Sequence, residues 1–129
     1  MSGKILIVDD EVHIRMLLEQ TLEDLEEEHG IQLLTASNGE EALALVKSEH
    51  PAIIFLDIMM PKLNGYEVCR RIKSDPALDS GASIVLLTAK GQEVDRKQGL
   101  ELGAKQYMTK PFDPDEVLST ARALLGIHR

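Results

Sequence analysis

The sequence contains very few of the residues that build disulfide, thiolate-metal or aromatic cofactor sites. Its 129 residues include one cysteine and no tryptophan, and aromatic side chains make up 3%. The lone Cys69 cannot form an intramolecular disulfide or a paired-thiolate metal site, and we interpret it as a packing residue of a helix. Because aromatic side chains are scarce, aliphatic residues and methionine must fill the core.

The sequence also lacks a positive net charge and a long apolar run. The formal net charge is −8 and the isoelectric point lies near 4.9. Direct binding of nucleic acid normally needs a basic surface, so we expect none. The first apolar stretch, 5–8, is too short for a signal peptide or a membrane span. We therefore expect no membrane insertion and a reducing, cytoplasmic location.

What the sequence does contain is an alternation of short apolar segments with helical segments. We predict one domain over residues 1–129, large enough for a real core. The predicted strands are 5–8, 31–36, 52–57, 83–87 and 105–109, and the predicted helices are 11–28, 39–50, 66–74, 92–102 and 114–125. Such alternation predicts an α/β fold with a parallel sheet covered by helices on both faces.

The apolar content of the strands predicts their order in the sheet. The strands at 5–8, 52–57 and 83–87 are almost entirely apolar, whereas those at 31–36 and 105–109 admit polar residues. A strand buried on both faces needs a continuous apolar run, so the first three should be central and the other two should lie at the edges. The order 2-1-3-4-5 satisfies this, which is the flavodoxin-like, doubly wound arrangement.

Local signals mark the ends of several helices. Asp10, Asn38 and Asp113 are predicted N-caps, and Gly30 is the predicted end of the first helix. A stripe at three- and four-residue spacing predicts the buried face of the first helix, formed by Ile14, Leu17, Leu18, Leu22 and Leu25. The helix at 92–102 has the fewest apolar residues, so we expect it to shift most easily.

Polar residues follow four of the predicted strands at the point where each strand ends. Asp9 and Asp10 follow the first strand, Asp57 the third, Thr88 the fourth and Lys110 the fifth. The carboxyl ends of parallel strands meet at one edge of the sheet, where open α/β folds bind their ligands. We therefore expect these side chains to form one site.

The charges expected at this edge favour a bound cation. Two ionised carboxylates about 4 Å apart repel each other by about 4 kcal/mol at an effective dielectric of 20. Three carboxylates against one lysine leave negative charge uncompensated, and hard oxygen ligands of this kind suit Mg²⁺. With Thr88 and Lys110 as donors, the set fits phosphoryl transfer to a carboxylate nucleophile.

On these residues the whole chain resembles a response-regulator receiver domain of two-component signalling, the group that includes chemotaxis regulators and phosphorelay intermediates. The resemblance depends on the spacing between motifs as well as on each motif. The motifs are Asp9-Asp10, Asp57 with Met60-Pro61 and Gly65 behind it, Thr88-Ala89, and Lys110-Pro111-Phe112.

The resemblance implies a role for each residue of the site. Asp57 accepts a phosphoryl group from a phosphohistidine of a sensor histidine kinase or a histidine phosphotransfer protein. Asp9, Asp10, Asp57 and the backbone carbonyl of Met59 hold Mg²⁺. Lys110 pairs with the phosphoryl group.

The resemblance also implies a switch and an output surface. Thr88 moves to bind a phosphoryl oxygen, and Tyr107 then turns from an exposed to a buried rotamer. The Lys110–Pro111 peptide bond is expected to be cis. A downstream protein is expected to bind the face made by the helix at 92–102, the fifth strand and the last helix.

Other functions stay open from the residues themselves. A Mg²⁺-dependent phosphohydrolase with Asp57 as nucleophile would generally need a general acid two residues further on, where Met59 stands. A flavodoxin-like cofactor binder would need aromatic side chains around a flavin ring, and the chain has few. A phosphorylation-independent scaffold would not need the full acidic set. We expect no enzymatic activity beyond the chain's own phosphorylation and dephosphorylation.

Overall fold

The computed structural model describes residues 3–89 and 100–127. Their elements are β1 (Lys4–Val8), α1 (Val12–His29), β2 (Gln32–Ala36), α2 (Gly39–Glu49), β3 (Ile53–Asp57), α3 (Gly65–Ser74), β4 (Ser83–Ala89), β5 (Gln106–Lys110) and α4 (Pro114–Leu125). The helix predicted at 92–102 lies mostly outside the described residues. Within them, no helix combines the length and the apolar character that crossing a membrane would require.

The five strands form one parallel sheet in the order β2-β1-β3-β4-β5. This confirms the predicted topology and the flavodoxin-like fold. All five residues of β3 are buried, as are four of the five in β1, whereas β2 at one edge has a single buried residue. The apolar content of each strand therefore sets its distance from the edge, because a central strand has helices on both faces.

Two apolar cores lie on opposite faces of the sheet. Alternate residues of each strand point to opposite faces, so Leu56 joins one core and Phe55 the other. One core packs α2 and α3 against the sheet, and the other packs α1 and α4. The switch candidate Tyr107 belongs to the first core. The side of the sheet on which a residue lies is therefore set by its position along its strand.

Most of the predicted helix ends are confirmed. The side chain of Asn38 accepts a hydrogen bond from the backbone N–H of Glu41 at 2.8 Å, and Asp113 accepts one from Asp115 at 2.9 Å. Gly30 ends α1 with a φ of 68°, in the left-handed region that glycine adopts without strain.

Two predictions for α1 are wrong. Asp10 does not cap the helix: Glu11 occupies the N-cap position, and its own N–H donates to the Asp9 carboxylate at 3.0 Å. Leu17 is 41% exposed, although the spacing placed it in the buried stripe. The sheet contacts a narrower strip of α1, centred on Leu18, Leu22 and Leu25.

The start of α3 is pressed against the end of β3, which positions the loop that follows Asp57. The N–H of Gly65 donates to the carbonyl of Ile58 at 3.0 Å. A Cβ atom added to Gly65 would lie 2.4 Å from the carbonyl oxygen of Asp57 and 2.8 Å from the Cα of Ile58. Only a residue without a side chain allows α3 to approach this closely.

We predict that Gly65→Ala destabilises the protein by about 2–3 kcal/mol, because the added methyl group meets backbone atoms that cannot turn away. Gly39→Ala is the matched control, since Gly39 also opens a helix and its added Cβ would meet the side chains of Val68 and Leu63. Side chains can shift, so we expect a cost of about 1 kcal/mol. Urea denaturation measures both, and equal losses would contradict the prediction.

Candidate functional site

The Asp57 carboxylate lies at the carboxyl end of β3, held by donors from two directions. Its side chain is buried, at 2% exposure. The Oδ1 atom accepts a hydrogen bond from the backbone N–H of Met59 at 3.2 Å and lies 3.4 Å from the Nζ atom of Lys110. The turn after β3 and the end of β5 thus meet at one carboxylate.

The Asp9 carboxylate is the most buried charged group of the site, with no exposed surface. Its Oδ1 atom accepts the hydrogen bond from Glu11, and its Oδ2 atom lies 2.9 Å from Lys110 Nζ. That approach is an ion pair without hydrogen-bond geometry, so Oδ2 remains a buried oxygen with no hydrogen-bond donor. Lys110 is the cation that compensates the charge of this buried carboxylate oxygen.

The structure brings three of the predicted acidic residues together. One carboxylate oxygen from each of Asp9, Asp10 and Asp57 lies within 4.8 Å of the other two, so the cluster could hold a metal ion. Asp10 is exposed, whereas Asp9 and Asp57 are buried. The site is therefore open to solvent on the side of Asp10.

The electrostatic environment raises the pKa of Asp57 from 3.8 to about 6. Burial is the largest cause, because it removes water from the charged form, and repulsion from Asp9 adds to it. The nearby charge of Lys110 and the N–H of Met59 act in the opposite direction. Burial, together with repulsion from Asp9, thus outweighs the donors around Asp57 and leaves its pKa raised.

Lys110 is the cation that joins these carboxylates. Burial lowers its pKa, but the contact with Asp9 and the charges of Asp57 and Asp9 raise it further, so the net shift is upward. Lys110 therefore stays protonated and contributes a full positive charge to the site. It also lies 4.0 Å from Glu11 Oε1, a fourth carboxylate near the cluster.

Sequence reasoning missed a second cation beside the cluster. The Nη1 atom of Arg15 donates to the backbone carbonyl of Asp9 at 2.6 Å. Arg15 therefore places a guanidinium group against the backbone of Asp9, at the edge of the cluster. A signal existed, because Arg15 lies one helical turn after Glu11 in α1, and four-residue spacing places the two on one side of the helix.

Thr88 and Tyr107 belong to β4 and β5, the two strands that follow β3 in the sheet. Thr88 is buried near the end of β4, where its hydroxyl donates to the carbonyl of Ala89 at 3.2 Å. Tyr107 is 8% exposed and pairs with Leu86 in the sheet. Because Leu86 and Thr88 are two residues apart, Thr88 and Tyr107 share the face covered by α2 and α3. The Lys110–Pro111 bond is cis, as the resemblance implied.

Comparison with known proteins identifies the family. Residues 5–122 match the family model described as the response regulator receiver domain. The chain belongs to this family. It is a receiver domain of the response regulators of two-component signalling, and its relatives are regulators rather than classical enzymes.

Individual relatives agree with this assignment. The transcriptional regulatory protein PhoP of Bacillus subtilis, described as controlling alkaline phosphatase synthesis, is 47% identical over 125 residues, which is 97% of this chain and 49% of PhoP. A putative response regulator from Chloroflexus aurantiacus superposes with a TM-score of 0.86 at 31% identity, covering 98% of this chain and 99% of that one. The chemotaxis protein CheY4 of Vibrio cholerae gives 0.83 at 29%, covering 96% and 99%.

The matched length differs between these relatives. The receiver domain spans about half the length of the curated relatives that it matches, including PhoP. It spans nearly all of CheY4. Similarity over the receiver domain therefore joins proteins with different outputs.

The donor set fits Mg²⁺. Three carboxylates supply hard oxygen ligands, and the Oδ2 atom of Asp9 is buried without a hydrogen-bond donor. The exposure of Asp10 leaves room for the waters that Mg²⁺ normally keeps. Asp9, Asp10 and Asp57 are the residues that would hold the ion.

We predict that Asp57→Asn raises the melting temperature of the metal-free protein by roughly 3–6 °C above pH 6, about 1 kcal/mol. A raised pKa means that the folded state prefers the neutral carboxyl group, so ionisation of Asp57 lowers stability. This loss begins near the ordinary value of 3.8 and is complete above about 6. The difference between variant and wild type should therefore grow across that interval in thermal melts, and a constant difference from pH 4 to pH 8 would contradict the assignment.

We predict that Asp10→Asn weakens Mg²⁺ binding about ten-fold, because one of three carboxylates is lost. Without metal, the same change should raise the melting temperature slightly, since the repulsions of Asp10 with Asp9 and Asp57 are removed. Asp24→Asn is the matched control, an equal charge change at an exposed position of α1. Melting temperatures across a Mg²⁺ titration measure both effects. A metal-dependent gain equal in the two variants would count against Asp10 as a ligand.

Proposed function

We propose that this receiver domain, over residues 1–129, is a phosphoacceptor of a two-component phosphorelay and that Asp57 carries the phosphoryl group. The observation that supports this most directly is the gathering of Asp57 with Asp9, Asp10 and Lys110 at the carboxyl end of the sheet. The donor is a phosphohistidine of a sensor histidine kinase or a histidine phosphotransfer protein.

In the proposed reaction, a carboxylate oxygen of Asp57 forms a bond to phosphorus while the bond from phosphorus to the histidine nitrogen breaks. The imidazole nitrogen keeps the electron pair of that bond, so no external base is needed. Burial of Asp57 keeps competing water away from one side, and the N–H of Met59 orients the carboxylate. The protein contributes mainly position and charge.

Charge compensation comes from the residues around Asp57. Bound Mg²⁺ would neutralise the carboxylates and polarise a phosphoryl oxygen. Asp9, Asp10 and the backbone carbonyl of Met59 are the ligands that we assign in addition to Asp57. Lys110 is already within 3.4 Å of Asp57 Oδ1, and we assign it to the phosphoryl oxygens. Only the ionised form of Asp57 is a nucleophile. The raised pKa therefore lowers the fraction of Asp57 that can react near and below pH 6.

The proposed output begins at Thr88 and ends at Tyr107. Phosphorylation adds negative charge and acceptor oxygens, which attract the Thr88 hydroxyl away from the Ala89 carbonyl. Tyr107 lies on the same face of the sheet, one strand further toward the edge. The partner surface that we assign is the one formed by residues 92–102, β5 and α4.

A phosphohydrolase is the weaker candidate. Such an enzyme would need a proton donor for the leaving group, and the residue two positions after Asp57 is Met59, whose thioether carries no proton. The Met59 side chain is 61% exposed, outside the carboxylate cluster. We therefore propose that the chain turns over only its own aspartyl phosphate.

The route from this receiver to a cellular response has two precedents among its relatives. PhoP and the ycf27 proteins are named as transcriptional regulators, whereas CheY4 is named as a chemotaxis protein. The net charge of the 129 residues is −8, so we propose that this receiver domain binds a protein partner and not nucleic acid. A cytoplasmic location stays a prediction.

We expect acetyl phosphate with Mg²⁺ to phosphorylate the wild type and not Asp57→Ala. Intact mass measures the added phosphoryl group, and beryllofluoride with Mg²⁺ should shift the amide signals near Thr88 and Tyr107. Asp75→Ala is the control, because Asp75 ends α3 outside the cluster. An unmodified wild type, or equal modification of Asp57→Ala, would contradict the proposal.

A further inference from the structure

Two tyrosines meet across the face of the sheet that α2 and α3 cover. The hydroxyl of Tyr66, in the first turn of α3, lies 3.0 Å from the hydroxyl of Tyr107 in β5. One of the two donates to the other. Tyr107 is buried in the core on this face, and Tyr66 packs against the same core. A hydrogen bond between partly buried hydroxyls favours the conformation in which both rings point inward.

Tyr66 is tied to the acceptor loop through the residue before it. Gly65 donates to the carbonyl of Ile58, and its Cα faces the carbonyl of Asp57 without room for a Cβ atom. The side chain of Asn64 accepts from the N–H of Glu67 at 2.9 Å, which orders the first turn of α3. The position of Tyr66 therefore follows the backbone immediately after Asp57.

Tyr107 lies on the far side of β4 from this loop. Leu86 in β4 is its neighbour in the sheet, and Thr88 stands two residues further along β4 on the same face. The Tyr66–Tyr107 contact thus connects α3, whose start packs against the end of β3, to the edge strand β5. It does so across the face of β4, which lies between β3 and β5. This connection is separate from the one through Thr88.

We propose that Tyr66 is a positioning residue that holds Tyr107 in its buried rotamer and connects that rotamer to the acceptor loop through α3. The inference rests on the proposed function, in which a partner protein binds differently to the two rotamers of Tyr107. Loss of the Tyr66 hydroxyl removes one hydrogen bond from the buried form. A typical hydrogen bond changes such an equilibrium about five-fold.

The variant Tyr66→Phe tests the first half, because it keeps the ring and removes the hydroxyl. The chain has two tyrosines, so ¹³C-tyrosine labelling gives two ring signals, which Tyr66→Phe and Tyr107→Phe assign to one residue each. We expect the ratio of outward to buried Tyr107 to rise about five-fold, seen as stronger relaxation of its ring signal by a soluble gadolinium chelate.

Thr120→Val is the matched control for loosening of β5. The Thr120 hydroxyl in α4 accepts a hydrogen bond at 3.2 Å from the side chain of Gln106, the residue before Tyr107. The control removes a hydroxyl contact to the same strand without touching Tyr66. We expect the Tyr107 ring to stay as protected as in the wild type. The proposal would be overturned if the Tyr107 ring became equally more exposed in both variants, or if Tyr66→Phe left its exposure as in the wild type.

Beryllofluoride with Mg²⁺ tests the connection to the acceptor loop. If the buried rotamer and ligand binding at Asp57 favour each other, Tyr66→Phe must weaken binding, by at most about five-fold, while Thr120→Val leaves it unchanged. The Met59 amide shift measures binding. Unchanged affinity in Tyr66→Phe would overturn the connection. Absence of any Met59 shift in the wild type would instead count against the proposed function. The measurement of Tyr107 exposure needs no ligand, so it tests the role of Tyr66 independently of that function.

Discussion

The structure depends on one lysine at the meeting point of several carboxylates. Lys110 Nζ lies 2.9 Å from Asp9, which follows β1, and 3.4 Å from Asp57, which ends β3. Folding buries both, and burial of a charge is costly unless an opposite charge compensates it. One lysine compensates these two carboxylates in part. The site is thereby left with an excess of negative charge, which a cation and a phosphoryl group bound together can use.

The sheet separates Asp57, the proposed phosphoacceptor, from Tyr107, the proposed switch residue. Asp57 lies two residues after Phe55, on the side of the core formed with α1 and α4, whereas Tyr107 lies in the core formed with α2 and α3. In the proposed switch, a change at the carboxylates would therefore reach Tyr107 around the carboxyl end of the sheet. The end of β4 and the first turn of α3 are the two elements in place to carry it.

Much of the fold could be predicted from the sequence because its signals are local. Continuous apolar runs identified the central strands, and Asn38, Asp113 and Gly30 marked the ends of helices. The prediction that Asp10 caps α1 was wrong. Aspartate is a common N-cap residue, but here the carboxylate of Asp9 accepts the hydrogen bond from the N–H of Glu11 at the start of the helix. The prediction that Leu17 is buried was wrong because helical spacing gives the centre of a buried stripe more reliably than its margin. The helix predicted at 92–102 lies mostly outside the described residues.

The sequence by itself determined which residues end the strands, and therefore that Asp9, Asp10, Asp57 and Lys110 would share one edge of a parallel sheet. Tertiary structure alone decided the distances among them, the burial that raises the pKa of Asp57, and the approach of Arg15 to the Asp9 carbonyl. It alone decided that Tyr66 meets Tyr107, 41 residues away. Strand ends follow from local composition, whereas contacts between distant side chains depend on how helices pack, and no local pattern encodes that packing.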